Sequence, residues 1–428
     1  MSALPVLLLS LAAAIDLDAA ARAFAEARAA TAKDGGRLFG VSLDRPLLFV
    51  DPATRQAAGD RSGREGALRP EGGVFVGAVP KSIPLANTSV EWGGERWAMI
   101  LWPLPEDARE RVRLLVHESF HVAQKDLGLP AASPANSHLD ALDGRLFLQL
   151  EWRALRAALL ASGDARKSAA RDALLFREHR AAVCGGNARA EERALEINEG
   201  LAEYAGVVLA GFGPPDVARR LDTAPGRFKT LARSFAYESG PAYGLLLDAE
   251  AGPSWRESLS SASDLGLLLG AALDLRTPEP DALSTEAERR LAAYDGAALR
   301  ASESAREERR RERLSELRKR FVEGPVLIVS LTPATRFSFD PGSLESLDGA
   351  GTVYPTLEMS GEWGTLEVRR GGALIDSGWR HVSVPAPGAG DGGDGNVVAG
   401  DGYVLRLAAG WRLLDGERAG DRAVRRDS

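Results

Sequence analysis

His117-Glu118-Ser119-Phe120-His121 sets two imidazoles four residues apart with a carboxylate between them. On a helix that spacing puts both rings on nearly one face, so their nitrogens converge on a single ion. The pair is half of a zinc site. Glu118 projects to the side, where its carboxylate reaches a water activated by the metal and serves as a general base. The competing reading is a helix whose histidines are satisfied core or surface residues.

Catalytic zinc commonly takes three protein ligands and leaves a position for water. The single cysteine, Cys184, allows neither an internal disulfide nor a thiolate-rich site, so any metal must be held by His and carboxylate. Cys184 itself, followed by Gly185 and Gly186, reads as an inert residue near a helix end. Downstream, Glu199 and Glu203 stand four apart on one face of a later helical pattern.

The residues Asn198-Glu199-Gly200-Leu201-Ala202-Glu203-Tyr204 resemble the N-E-G-x-A-x-Y segment of gluzincin zinc metallopeptidases, especially the M1 aminopeptidase-like group. The resemblance implies that Glu199 is the third ligand to one Zn2+ per chain and that Glu203 orients His117. Tyr237-Glu238-Ser239-Gly240 looks like the Y-E-x-G segment of the same enzymes, which implies that Tyr237 donates to a developing oxyanion, with Tyr243 a competing donor. Two features depart from that group. The interval from His121 to Glu199 holds a helical hairpin where those enzymes have about 18 residues, and no G-x-M-E-N precedes the motif helix, so the carboxylate that would hold a free amine has no match.

The expected activity is zinc-dependent hydrolysis of peptide bonds in a peptide or protein substrate, with Glu118 as general base and endo- versus exo-cleavage open. Ser89 to Trp102 is the stretch expected to pair with substrate backbone, as in that superfamily. The alternative is a non-catalytic exported binding or scaffold protein with a structural or vestigial zinc site.

The elements that must position these residues follow from composition. At 428 residues the chain has room for two or three domains. A net charge of -7 and pI near 5.5 argue against a dedicated nucleic-acid binder. Leu4 to Ile15 is apolar and ends in small residues, although no Lys or Arg precedes it. It is too short to span a bilayer, which needs about 20 residues. Residues 1–15 therefore read as an export signal, giving a periplasmic or extracellular protein, or a cytoplasmic one if the run is an ordinary first helix. No later stretch suggests stable membrane insertion.

The pattern predicts an α+β fold: a small N-terminal sheet over a mainly helical, zincin-like catalytic domain, plus a C-terminal all-β domain. Residues 16–105 should form a leading helix and the small sheet, with Gly93-Gly94 turning a hairpin. Residues 106–323 should be helical. The motif helix runs from Glu106 past Lys125, helices follow over 138–162, 165–183 and 188–209, and Gly211 to Pro215 ends the last of these. Helical character resumes at Phe228, and the charged stretch Ala301 to Arg320 ends the domain. Residues 324–428 read as short strands, with Gly388 to Gly402, carrying Asp391, Asp394 and Asp401, a flexible loop.

Overall fold

The computed structural model describes residues 15–228, 230–276, 278–339, 344–347, 349–388 and 396–427. The run read as an export signal lies outside these residues apart from Ile15, as do Asp391 and Asp394. Among the described residues no helix is long and apolar enough to cross a membrane.

The fold is α+β, with a small N-terminal sheet, a mainly helical middle and an all-β C-terminal region. By contacts the chain divides into two units, 1–303 and 304–428.

In the first unit, α1 (Leu17–Asp34) precedes strands β1 (Leu47–Val50), β2 (Gln56–Gly59), β3 (Arg69–Glu71), β4 (Val74–Ala78), β5 (Thr88–Trp92) and β6 (Glu95–Leu101). They form one sheet in the order β3-β4-β2-β1-β6-β5, so β5 is an edge. β1 and β6 pair in parallel and are buried on both faces, which is why Leu47–Val50 and Trp97–Ile100 are continuously apolar rather than alternating. One face packs on α1, where Phe24 stacks on Phe49 at 4.3 Å between ring centroids. Trp97, Met99, Leu48 and Leu68 fill the other.

The helices are α2 (Ala108–Ala123), α3 (Leu142–Leu160), α4 (Gly163–Cys184), α5 (Ala188–Leu195), α6 (Leu201–Leu209), α7 (Pro214–Arg227), α8 (Phe235–Glu250), α9 (Leu265–Ala272), α10 (Pro280–Arg290) and α11 (Gly296–Arg318). α3 and α4 form the expected hairpin, turned at Gly163 with φ 56°. Pro214-Pro215 marks a helix start as well as a stop. Proline lacks only an N–H that a first turn leaves free, so the pair opens α7, a helix the sequence pattern passed over. Phe120, Trp152, Phe176, Tyr204 and Phe235 lie at the centre of the helical core, fully buried or nearly so, each such side chain contributing about 1.5–3 kcal/mol. The unit boundary falls inside α11, between Glu303 and Ser304, rather than after the charged stretch.

The second unit holds β7 (Val326–Ser330), β8 (Arg336–Phe339), β9 (Glu345–Leu347), β10 (Gly351–Tyr354), β11 (Leu357–Gly361), β12 (Gly364–Val368), β13 (Ala373–Asp376), β14 (His381–Pro385), β15 (Val397–Gly400), β16 (Tyr403–Leu407), β17 (Trp411–Asp415) and β18 (Arg422–Arg426). They make two sheets, β17-β18-β7-β14-β13-β10-β9 and β15-β16-β12-β11-β8. Leu327, Val382 and Val384 from one sheet and Met359, Leu366 and Leu405 from the other share one core.

Candidate metal centre

α2 starts at Asp107, whose carboxylate accepts the Glu110 N–H at 2.9 Å and caps the helix. Its later turns are enclosed: Leu115, Val116 and Phe120 are fully buried, and His117 and Glu118 nearly so. α2 crosses α6 closely because Gly206 has no side chain; a β-carbon there would lie 2.5 Å from the Arg113 carbonyl oxygen. About one turn from that contact on each helix stand His117 and Glu203. Nδ1 of His117 is 2.9 Å from Oε2 of Glu203.

Glu196–Gly200, between α5 and α6, is a π-helical turn, a widened form that recurs at functional sites. Glu199 sits in it. Its Oε2 is 3.3 Å from His117 Nε2 and 3.4 Å from His121 Nε2, and the two Nε2 atoms are 3.2 Å apart. Bonds of about 2.0–2.1 Å to a tetrahedral ion put neighbouring ligand atoms about 3.3–3.4 Å apart. These three atoms therefore already form one face of such a tetrahedron, and the group is compatible with a metal ion.

Each histidine is held by its other nitrogen. His117 Nδ1–H donates to Glu203, and His121 Nδ1–H donates to Gln124 Oε1 at 3.0 Å, which leaves both Nε2 lone pairs for a cation. Gln124 is fixed in turn, its Nε2 donating to Pro130 O at 2.7 Å and Asn198 Oδ1 at 3.0 Å. Asn198 donates to Glu199 Oε1 and to Ser133 Oγ, both at 3.0 Å. One chain of amides thus ties the second histidine to the acid ligand.

The charges around Glu203 balance its burial. Arg113 donates to it at 2.6 and 2.8 Å, and Arg220 lies 2.7 Å away. Burial alone would raise its pKa, but His117 and the two guanidiniums hold it down at about 2. Burial would likewise lower His117, yet Glu199 and Glu203 hold it up at about 10. The field of two carboxylates favours positive charge at that spot, whether proton or metal. Glu199 is depressed despite burial, chiefly by His117 and His121.

Glu118 behaves oppositely. Burial raises its pKa against the pull of the two histidines, and its Oε2 has no hydrogen-bond partner among the described residues. A buried carboxylate oxygen without a donor is suited to take a proton.

Tyr237, on α8, donates from its hydroxyl to Glu199 Oε2 at 2.6 Å, and its ring lies parallel to His117 at 5.3 Å. Burial and Glu199 raise its pKa, so the phenol keeps its proton. Tyr243 is elsewhere. Its hydroxyl donates to Glu151 at 2.5 Å within a buried network of Glu151, Arg177, Arg180, Glu192 and Glu196.

His117, Glu118, His121, Glu199, Glu203 and Tyr237 are therefore brought together. The sequence reading missed Gln124, although a lone amide three residues after His121 on the same helix face was the available signal. The cluster opens on a cavity of about 500 Å3 whose wall includes Asn87, Thr88 and Ser89 at the edge strand and Arg96 and Lys125. No family model, no curated protein and no solved structure matches the chain.

Proposed function

We propose that the chain is a zinc-dependent peptidase of the gluzincin type. The observation that carries the reading is the triangle of His117 Nε2, His121 Nε2 and Glu199 Oε2 at tetrahedral spacing beside the partnerless Oε2 of Glu118. Zinc held there would supply Lewis acidity, acidifying water and polarising a carbonyl.

The chain's own groups do the rest. The Glu118 carboxylate takes a proton from the attacking water and returns it to the leaving amine, a task its raised pKa suits. Tyr237 keeps its phenolic proton and shifts its hydrogen bond from Glu199 to the oxyanion as charge develops. Glu203 and Gln124 hold the two imidazoles in the tautomer that leaves Nε2 free. The open edge of β5 beside the cavity suits an extended peptide, which would add as a strand through its backbone. The apolar run Leu4–Ile15 fits export of this activity.

The test is digestion of a mixed peptide library before and after metal is stripped with a chelator. Cleavage should vanish on stripping and return with one equivalent of zinc. Cleavage that survives complete metal removal overturns the reading.

A further inference from the structure

The second unit carries a partly exposed aromatic surface. Trp379 lies in the turn joining β13 to β14, with 50% of its surface exposed and a φ of 53°. A bulky side chain rarely adopts that left-handed conformation, which Gly, Asn and Asp take more readily, and such outliers cluster where a side chain has a function. Gly378, next to it, does not take a positive φ. The unfavourable conformation thus falls on the tryptophan although a glycine is adjacent.

Asp376 builds the turn. Its Oδ1 accepts the N–H groups of Gly378 at 2.8 Å and Arg380 at 3.0 Å, its Oδ2 meets His381 Nδ1 at 2.9 Å, and its carbonyl accepts the Trp379 N–H at 2.9 Å. The indole so presented rests near Phe337, itself 43% exposed, at 5.4 Å between centroids and near the ring of Tyr354 at 6.4 Å. The aromatic surface faces outward in part instead of closing the core.

Beside it runs a groove of about 280 Å3 with mainly polar walls. Ser346 and Thr352, opposite each other across β9 and β10, contribute hydroxyls, and Ser377 adds a third. None of these three side chains has a hydrogen-bond partner among the described residues. Among the described residues the groove's one acid is Asp376, which the turn and His381 already engage. Such walls suit an occupant that offers one flat apolar face and carries several hydroxyls. Proline-rich peptides fit poorly, since they dock in grooves lined by aromatic rings rather than by hydroxyls.

We propose that Trp379 and this groove form a carbohydrate-binding site that takes one pyranose ring of a neutral glycan, its C–H face on the indole and its hydroxyls on Ser346, Thr352 and Ser377. The volume is below the roughly 300 Å3 at which pockets enclose whole drug-sized ligands, and suits one unit of a longer chain.

The test is calorimetric titration of the full chain with cellohexaose, chitohexaose and mannohexaose. At least one should bind. Trp379→Asn should weaken that binding more than about tenfold, as loss of an aromatic anchor does, while its thermal unfolding profile matches the parent's, because Asn accepts the left-handed backbone. Thr352→Val, which keeps shape and removes one hydroxyl, should weaken it about two- to tenfold. The proposal is overturned if no saccharide binds, if both variants bind as the parent does, or if decaproline binds in place of the saccharides.

Discussion

Gly240 of α8 lies against Gly200 of the π-helical turn so closely that a β-carbon on Gly240 would fall 2.3 Å from Gly200 Cα and 2.5 Å from its carbonyl oxygen. This backbone contact brings Tyr237 to Glu199, and it gives a physical reason for a glycine at the end of both Asn198-Glu199-Gly200 and Tyr237-Glu238-Ser239-Gly240. Gly240→Ala forces the two elements apart. Overpacking of this kind costs about 1–3 kcal/mol, and it should also lengthen the Tyr237–Glu199 hydrogen bond. Urea unfolding and peptide turnover should both fall; a variant equal to the parent in both would show that the contact does not set the site.

Gln124 bears on the metal without touching it. Gln124→Leu removes the acceptor for His121 Nδ1–H and the link to Asn198. Metal affinity, read by competition with a chromogenic chelator, should drop about 10–100-fold. Gln124→Glu, which keeps an acceptor, should retain most of it.

Tyr237 touches both a ligand and the expected place of the oxyanion. If it acts on the transition state, Tyr237→Phe lowers kcat about 10²–10³-fold with zinc content unchanged. Loss of zinc with an unaltered rate per bound ion would make it a holder of Glu199 only.

The buried network behind the ligand turn predicts a pH dependence. Four acids, Glu151, Glu192, Glu196 and Asp264, meet two guanidiniums, Arg177 and Arg180, with His138 a further partner of Glu192 at 2.9 Å. Burial raises Glu196 from 4.5 to about 7 despite Arg177. Between those values the folded chain binds the proton that the unfolded chain has released, so this group's contribution is full below 4.5 and is lost as pH rises through about 7. Stability measured across that window should decline with pH in the parent relative to Glu196→Gln. A difference between the two that does not change with pH would contradict this.

Much of this was legible in the sequence because helical spacing alone fixes relative direction. His117 and His121 had to share a face, as did Glu199 and Glu203, and the Gly and Pro breaks gave most helix ends. What spacing could not give is which faces meet. The approach of α2 to α6 depends on the absence of a side chain at Gly206, and Gln124 acquires its role only from Pro130 and Asn198, remote or irregular in the chain. α7 was passed over because a proline pair signals a stop and a start alike. Several C-terminal strands, such as β9, β10 and β13, are three or four residues long, too short for alternation to register.

The most direct measurement of Glu118 as the base compares peptide cleavage by zinc-loaded parent and Glu118→Gln, each normalised to bound zinc. Glu118 is not one of the three ligands, so the variant should hold the same one ion per chain, and it should cleave about 10²–10⁴-fold more slowly for want of the base. Equal rates per zinc would contradict a role for Glu118 as the base.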